Sequence, residues 1–305
     1  MPSFINRIDH LQATLLFNSN NILGEGPYWH RDMQSFFWVD IDAKKVQQYR
    51  WPKGPVNEWK IGHRVSVISE MHGEKDKLLL GVQGGLATLD LVSGRLEWII
   101  DIEREIGANR TNDGGCDPSG RLWVGTMERK CKTGEGALYA VNHDFSLEKK
   151  IDNVSVSNGI VWSQDGRRMY YIDSPTQTVK TYHFDAGTGA IDFDKIAISI
   201  EKKDGSPDGM CMDEEGMLWV AQWDGFGVYR WNPHTGKLLQ KIDVPAPQVS
   251  SCAFGGENMD QLFITTAREN MPDDILKKYP HSGNVFIAKP GVKGVVVHKF
   301  GRRER

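Results

Sequence analysis

The chain has 305 residues and a formal net charge of −3 at pH 7, with 37 Lys and Arg against 40 Asp and Glu. This balance excludes a broad basic surface of the kind that attracts nucleic acids and anionic membranes, so neither partner is expected. No apolar run reaches the ~20 residues of a membrane-spanning helix, the first residues lack the pattern of a secretory signal, and the four cysteines show no Cys-x-x-Cys spacing. We therefore expect a cytoplasmic protein without disulfides or structural zinc.

The first predicted elements are a strand-forming stretch at residues 8–17 (IDHLQATLLF), a turn at residues 24–29 (GEGPYW) and an apolar strand at residues 35–41 (SFFWVDI). Glycine and proline account for the turn. They do not account for Glu25, a carboxylate placed just ahead of a strand with a buried pattern. A buried acid needs a hydrogen-bond partner, a proton or a cation.

The same arrangement recurs along the chain. NDGGCDPSGRLWVGT, from residue 112, and DGMCMDEEGMLWVAQ, from residue 208, share a polar residue, a D-x-x-G turn and Leu-Trp-Val. We align all copies on the apolar residue at the centre of this run, and the six anchors are then separated by 42, 43, 47, 49 and 44 residues. The anchors are Trp38, Leu80, Trp123, Tyr170, Trp219 and Phe263.

Each anchor is followed by an alternating stretch, and several of these end in turn residues, so each copy has the pattern of four strands. Four strands at such a period are typical of a propeller blade. The sequence predicts an all-β, six-bladed β-propeller as a single domain over residues 1–305, with four antiparallel strands per blade. Residues 8–17 are expected to form an N-terminal strand that closes the last blade. A β-sandwich or two unrelated β domains is the alternative, but neither needs six evenly spaced copies.

The first strand of each propeller blade lines the central channel. Four of the residues that open these strands are polar, namely Glu25, Asn112, Asn158 and Asp208. Two carboxylates and two amides on one axis, with no basic residue among the openers, indicate a site for a hard divalent cation. Oxygen donors favour Ca²⁺, Mg²⁺ or Mn²⁺, and Zn²⁺ stays open because geometry can override donor type. Arg110, near the same rim, suits an oxygen-rich ligand.

Each of these residues also has a simpler interpretation. Asn or Asp beside Gly is an ordinary turn, and Arg110 has an equally good alternative as the partner of a surface carboxylate. The coincidence at matching positions in four blades favours a shared site. Glu25 adds the most, because glutamate is not a turn residue.

The motifs GEGPYW, NRTNDGGCDPSGRLWVGTM, SNGIVWSQDGRRMYYIDS and SPDGMCMDEEGMLWVA resemble those of the regucalcin/gluconolactonase family, also called the senescence-marker-protein family, which includes the luciferin-regenerating enzymes. The resemblance runs in order from about residue 20 to residue 297. It implies a six-bladed propeller with one divalent cation at its centre, Ca²⁺ being the first expectation and Zn²⁺, Mn²⁺ or Mg²⁺ the alternatives.

The resemblance also implies roles for individual residues. The family's metal ligands fall on Glu25, Asn158 and Asp208, and its substrate-binding residues fall on Arg110 and Asn112. A further substrate-binding acid follows the G-T-M motif in regucalcin-like members. Here the matching position falls on Lys130, while Glu128 lies two residues earlier, so Glu128 is the candidate for that role only if the loop is reshaped. This departure bears on the choice of sugar.

The activity that the resemblance implies is hydrolysis of sugar lactones, with a small-molecule lactone as the only expected partner. A divalent cation polarises the lactone carbonyl, and Asp208 is the expected base for the attacking water. Two alternatives stay open. One is a lactonase or esterase for aromatic or other non-sugar esters, with Trp29, Trp223 and Phe226 as an apolar lid, and the other is a calcium-binding propeller without enzymatic activity.

Overall fold

The computed structural model of the protein describes residues 8–302. The prediction about a secretory signal falls partly on residues 1–7, which lie outside that range. The described residues form 25 β-strands, two 3₁₀ turns (Ser174–Thr176 and Lys202–Asp204) and one short helix, α1 (Asp273–Lys278). Neither the helix nor the turns of residues 8–302 have the length and hydropathy to cross a bilayer.

The chain begins with two short strands and then forms the first three blades in order. The N-terminal strands are β1 (Asp9–Gln12) and β2 (Thr14–Phe17). Blade one contains β3 (Gly24–His30), β4 (Ser35–Asp40), β5 (Lys45–Arg50) and β6 (Val56–Lys60). Blade two contains β7 (Val65–Met71), β8 (Glu74–Val82), β9 (Gly85–Asp90) and β10 (Leu96–Asp101). Blade three contains β11 (Asn109–Cys116), β12 (Leu122–Glu128), β13 (Gly136–Val141) and β14 (Leu147–Val154).

The second half of the ring repeats the arrangement. Blade four contains β15 (Ser157–Trp162), β16 (Arg168–Asp173), β17 (Thr178–Asp185) and β18 (Ala190–Ser199). Blade five contains β19 (Ser206–Met212), β20 (Leu218–Trp223), β21 (Gly227–Asn232) and β22 (Lys237–Asp243). Blade six contains β23 (Val249–Gly255), β24 (Gln261–Thr266) and β25 (Val285–Ala288), joined by β2.

The predicted six-bladed propeller is therefore confirmed. All six anchors lie on the second strand of a blade, and none of them is more than 3% exposed. Their side chains pack between neighbouring blades. The indole of Trp219 in blade five, for example, meets the ring of Phe254 in blade six with centroids 5.9 Å apart. The core thus consists of layers between blades, which leaves the first strands free to face the axis.

The N-terminal segment closes the ring, but its first half differs from the expectation. β2 pairs antiparallel with β25 and completes blade six as predicted. β1 instead pairs parallel with β22 and adds a fifth strand to blade five. Ala13, between the two strands, donates its N–H to the carbonyl of Asp243 at 2.9 Å. The segment covers the outer edge of blade five before it reaches blade six, and a covered edge is protected from further pairing.

The D-x-x-G turn of the repeat has a structural task. In blade five the fully buried carboxylate of Asp213 accepts hydrogen bonds from Trp219 Nε1 at 2.9 Å and from Arg230 Nε at 2.8 Å. It also accepts the N–H groups of its own turn. In blade three the buried Asp117 binds the indole of Trp123 in the same way, at 3.0 Å. The aspartate therefore fastens the turn to the buried anchor.

Replacing Asp213 by alanine will lower the free energy of unfolding by about 2–4 kcal/mol, because it leaves the indole N–H of Trp219 and the N–H groups of the turn without their acceptor and removes one of the two carboxylates that bind the guanidinium of Arg230. Glu215→Ala is the matched control. Glu215 binds the same guanidinium at 2.6 Å but is exposed, so its loss will cost about 1 kcal/mol or less. Denaturant titration of both variants measures the difference. Equal losses would contradict the proposed role of the turn.

Candidate functional site

All six first strands carry a break in register near the end where the polar openers lie. In an antiparallel ladder such a break leaves residues unpaired and re-aims their side chains, and β-bulges of this kind are frequent beside active sites. The breaks fall between Glu25 and Tyr28, Val65 and Val67, Thr111 and Gly114, Asn158 and Ile160, Pro207 and Met210, and Val249 and Ser251. The predicted openers sit at these breaks, where the strand leaves its partner and faces the channel.

The glycines that follow the acids are required by the close approach of neighbouring first strands. A Cβ atom at Gly209, after Asp208, would lie 2.0 Å from Ser251 Oγ of blade six. Gly26, after Glu25, has a φ of +54°, and a Cβ there would lie 2.7 Å from the carbonyl oxygen of Ser66. Any residue with a Cβ atom at either position would push the blades apart. The acid-glycine pairs thus place a carboxylate on the axis without enlarging the ring.

The openers meet in one cavity of about 380 Å³ at one end of the channel. Five of the six predicted site residues line it, each from the first strand of its blade: Glu25, Arg110, Asn112, Asn158 and Asp208. They come from blades one, three, four and five. All five are less than a tenth exposed. The sequence distance from the first to the last is more than half of the chain, so only ring closure brings them together.

A hydrogen-bond chain links these side chains across three blades. Arg110 donates to the amide oxygen of Asn112, and Asn112 Nδ2 donates to Asn158 Oδ1 at 2.8 Å. Asn158 Nδ2 donates to Ser174 Oγ at 2.7 Å, and that hydroxyl donates to the carbonyl of Pro207 at 2.6 Å. Both hydrogens of Asn112 Nδ2 are used, since this group also donates to the Ser157 carbonyl at 2.7 Å. The chain fixes the amide of Asn158 with its oxygen toward Asn112.

The two predicted carboxylates of the cavity, Glu25 and Asp208, are held in an environment that disfavours their charge. Burial, reinforced by the negative charge of Asp113, raises the pKa of Glu25 to about 8. Burial, together with the charges of Glu25 and Asp113, raises the pKa of Asp208 well above its usual range. The nearby Arg110 opposes both shifts but does not cancel them. Two ionised acids at this place therefore need further positive charge.

This donor set fits a hard divalent cation. Glu25 and Asp208 provide carboxylate oxygens, and Asn158 provides an amide oxygen with a second lone pair besides the one that accepts from Asn112. Within residues 8–302 no three His, Cys, Asp or Glu side chains are grouped to hold a metal, and the amide oxygen of Asn158 is the third oxygen donor of this set. Oxygen-only sets of this kind are completed by water or substrate and suit Ca²⁺, Mg²⁺ or Mn²⁺.

The sixth predicted site residue, Glu128, lies at the end of β12 and does not line the cavity. Its carboxylate turns back and accepts the backbone N–H of Lys130 at 2.7 Å. Glu128 is buried, and Lys130 is exposed and also outside the cavity wall. In this conformation the loop does not turn Glu128 toward the cavity. The substrate-binding role of Glu128 stays a prediction.

The apolar lid expected in the ester-hydrolase alternative is only partly in place. Trp223, the last residue of β20, lines the cavity. Trp29 is not in a loop. It is a buried residue of β3 that stacks on Phe263 with ring centroids 5.6 Å apart, so its expected place in the lid is wrong. Phe226 lies in the turn after β20 and packs against Tyr279.

Four polar residues of the cavity wall were not predicted, namely Glu269, Cys131, Ser174 and Ser206. Glu269 follows β24 of blade six, and Cys131 lies in the loop after β12. The sequence carried one clue to Glu269, because it is an acid that comes directly after an apolar second strand, at the rim where the openers lie. Cys131 has no such clue, and burial raises the pKa of its thiol, which disfavours a nucleophilic role.

Most of the chain is similar in sequence to known proteins. Residues 23–268 match the sequence family described as the SMP-30/Gluconolactonase/LRE-like region. The chain belongs to this family. The match begins just before Glu25 and ends just before Glu269, so it includes the five residues that line the cavity and all first and second strands.

Similar proteins within the family span almost the whole chain. Chicken (Gallus gallus) regucalcin is 35% identical and covers 91% of this chain and 94% of its own length. A Bacillus subtilis protein named "Putative sugar lactone lactonase YvrE" is 36% identical, covering 92% and 95%. The crystal structure of a calcium-binding protein, regucalcin from Agrobacterium tumefaciens, superposes with a TM-score of 0.89 at 28% identity, covering 98% and 99%. The shared fold therefore extends over nearly the whole of both chains.

Proposed function

We propose that this protein hydrolyses sugar lactones with the help of one divalent cation held in the cavity. The observation that carries the proposal is the convergence of Glu25, Asn158 and Asp208 beside Arg110 in one cavity. The family and the name of the Bacillus subtilis relative support lactonase activity. The Agrobacterium regucalcin, named as a calcium-binding protein, supports a divalent cation.

Glu25, Asn158 and Asp208 would hold the cation, each through an oxygen atom. When bound, the cation supplies positive charge that polarises a carbonyl oxygen and offsets the negative charge that develops on it. Beside that positive charge Glu25 and Asp208 would be ionised at neutral pH, because it would offset the burial and mutual repulsion that raise their pKa values.

Ionised Asp208 can then accept the proton of the water that attacks the lactone carbonyl. The water oxygen bonds to the carbonyl carbon, the ring C–O bond breaks, and the proton passes from Asp208 to the released hydroxyl oxygen. A lactone needs less assistance than an amide, because its alcohol is the better leaving group. The product is the open-chain hydroxy acid.

Arg110 and Asn112 would position the substrate. The guanidinium of Arg110 is buried, and its Nη1 already donates to its own strand, at 3.0 Å to the Thr111 carbonyl. Its remaining N–H groups are available to ring oxygens or hydroxyls. Asn112 has no N–H left to donate, so its main role is to orient Arg110 and Asn158. Fixed donors around the carbonyl raise the fraction of reactive encounters.

The test is a hydrolysis assay with D-glucono-1,5-lactone on chelator-treated protein, with Ca²⁺, Mg²⁺, Mn²⁺ or Zn²⁺ added back singly. We expect activity above the spontaneous rate with at least one cation, and a loss of at least tenfold after chelation, because the carboxylates then lack their counter-charge. Aryl esters serve as the comparison substrates. A protein that binds the cation but hydrolyses no lactone would instead be a non-enzymatic calcium-binding propeller, and a preference for aryl esters would support the esterase alternative.

A further inference from the structure

The cavity contains a third acid that neither the cation site nor the proposed hydrolysis uses. Glu269 comes from blade six, diametrically opposite blade three, which carries Arg110. Both side chains line the same cavity, and among the charged groups Glu269 does most to raise the pKa of Arg110 against the lowering that burial causes. The wall of the cavity thus carries an acceptor and a donor group from two different blades.

The two side chains do not neutralise each other by contact. Arg110 Nη1 is directed to Thr111 and Asn112 of its own strand. Among residues 8–302, no nitrogen of Arg110 lies within 4.0 Å of the Glu269 carboxylate, and that carboxylate has no hydrogen-bond donor. The nearby Arg64 is engaged by Asp42 at 2.7 Å. Glu269 is thus a half-buried acceptor that faces the cavity without a donor.

The backbone around Glu269 is held in place. Its carbonyl accepts Gln248 Nε2 at 3.0 Å. The preceding residue, Arg268, donates its N–H to the carbonyl of Ile22 at 3.0 Å, and Ala267 pairs with Leu23 at the start of blade one. The acid is therefore presented by a segment fixed between blades six and one, as expected for a residue that recognises a ligand.

We propose that Glu269 is a substrate-binding residue that accepts hydrogen bonds from the hydroxyl groups of a polyhydroxylated lactone, opposite Arg110, and so selects sugar lactones over lactones without hydroxyls. This inference rests on the proposed function, since it names the substrate class of the same site. A sugar ring offers donors to Glu269 and acceptors to Arg110. An unsubstituted or aryl ester offers acceptors only and leaves the half-buried carboxylate unpaired, which a site built for a hydroxyl penalises.

This role also accounts for the missing acid in the loop after β12. Glu128 is turned back to Lys130 and is absent from the cavity wall. Glu269 supplies an acceptor from the opposite side. The polar groups that contact sugar hydroxyls would therefore be distributed over blades three and six in this protein, rather than gathered in blade three.

The test compares two lactones with the same six-membered ring, D-glucono-1,5-lactone and δ-valerolactone, which lacks the hydroxyls. The protein is the cation-loaded full chain with Glu269→Gln, which keeps the size of the side chain but removes its charge. We expect the preference in kcat/KM for the hydroxylated lactone to fall at least tenfold, since a hydrogen bond to a charged group is worth roughly 10- to 100-fold. Glu257→Gln, in the exposed hairpin at the opposite end of the β23–β24 pair, is the matched control and should keep the native preference.

Binding of the open-chain products separates this inference from the proposed function. By calorimetry, Glu269→Gln should weaken D-gluconate at least tenfold relative to 5-hydroxyvalerate. If the native chain hydrolyses neither lactone but shows this binding difference, the hydrolysis proposal fails and the role of Glu269 stands. An unchanged preference in both hydrolysis and binding, in a variant with native melting temperature, overturns the inference, as does a native chain with no preference for the hydroxylated member of either pair.

Discussion

Replacing Asp208 by asparagine will lower kcat for D-glucono-1,5-lactone by at least about 100-fold at saturating cation, while the melting temperature stays at or above that of the native apo protein. Asparagine keeps an oxygen donor at the same place but cannot accept a proton at neutral pH, and a positioned base contributes typically 10²–10⁴-fold. The side chain is buried beside Glu25, so removing its charge relieves repulsion rather than creating strain.

Asp224→Asn is the matched control for this experiment. Asp224 follows Trp223 of the cavity wall but does not line the cavity, and its φ of +62° is one that asparagine tolerates. Native kcat in this variant would show that removing an acid near the cavity is not by itself enough to lower kcat. Native kcat in Asp208→Asn at saturating cation would contradict the assignment of Asp208 as the base, whatever its effect on cation affinity.

Chelation will make the stability of the protein depend on pH in the direction opposite to that of most acidic groups. The folded-state pKa of Glu25 is raised from 4.5 to about 8, and that of Asp208 is raised as well. The folded apo protein therefore binds more protons than the unfolded chain between pH 4.5 and about 8, so its free energy of unfolding falls as pH rises through that window. The contribution is fully present below pH 4.5 and lost above about pH 8.

With a saturating divalent cation, the charge of the cation balances the ionised carboxylates. The fall in the free energy of unfolding toward pH 8 should then disappear. Cation at 100 times its dissociation constant adds about 2.7 kcal/mol, which corresponds to roughly 5 °C in melting temperature for a chain of this size. Thermal melts at pH 5, 6.5 and 8, with EDTA or with CaCl₂, measure the difference between the two curves. We expect it to widen toward pH 8.

Glu25→Gln is the control that connects this effect to the site. It removes one buried titratable acid and one ligand, so it should stabilise the chelated protein at pH 8 and reduce the difference between the EDTA and CaCl₂ curves. Parallel curves for the native chain across the three pH values would contradict a cation site at Glu25 and Asp208. A cation bound elsewhere would leave the difference between the EDTA and CaCl₂ curves of the variant equal to that of the native chain.

Much of the fold was predictable because its determinants are local. The anchors Trp38, Trp123 and Trp219 recur at a nearly constant spacing, and each sits in an apolar run that can only be a buried strand. The pairing of β1 was not predictable. Residues 9–12 alternate weakly and are mostly exposed, so nothing in their pattern chooses between the outer edge of blade five and that of blade six.

The candidate site also has residues that the sequence could predict and residues that it could not. Glu25 and Asp208 stood out because a carboxylate beside glycine at the start of a buried strand breaks the pattern of its neighbours. Glu128 also stood out, but the direction of its side chain depends on a hydrogen bond to Lys130 that the loop sequence does not reveal. Glu269 was missed because it lies outside the repeat, in the segment after the last second strand.

The sequence by itself determined the number of blades, the order of their strands and the polar residues that open the first strands, because spacing and alternation are properties of neighbouring residues. Tertiary structure alone decided which of these side chains meet. The hydrogen-bond chain from Arg110 through Ser174 to the carbonyl of Pro207 crosses three blades, and Glu269 lines the same cavity as Arg110 from a position 159 residues later in the chain. Such contacts depend on the curvature and closure of the ring, which no local pattern encodes.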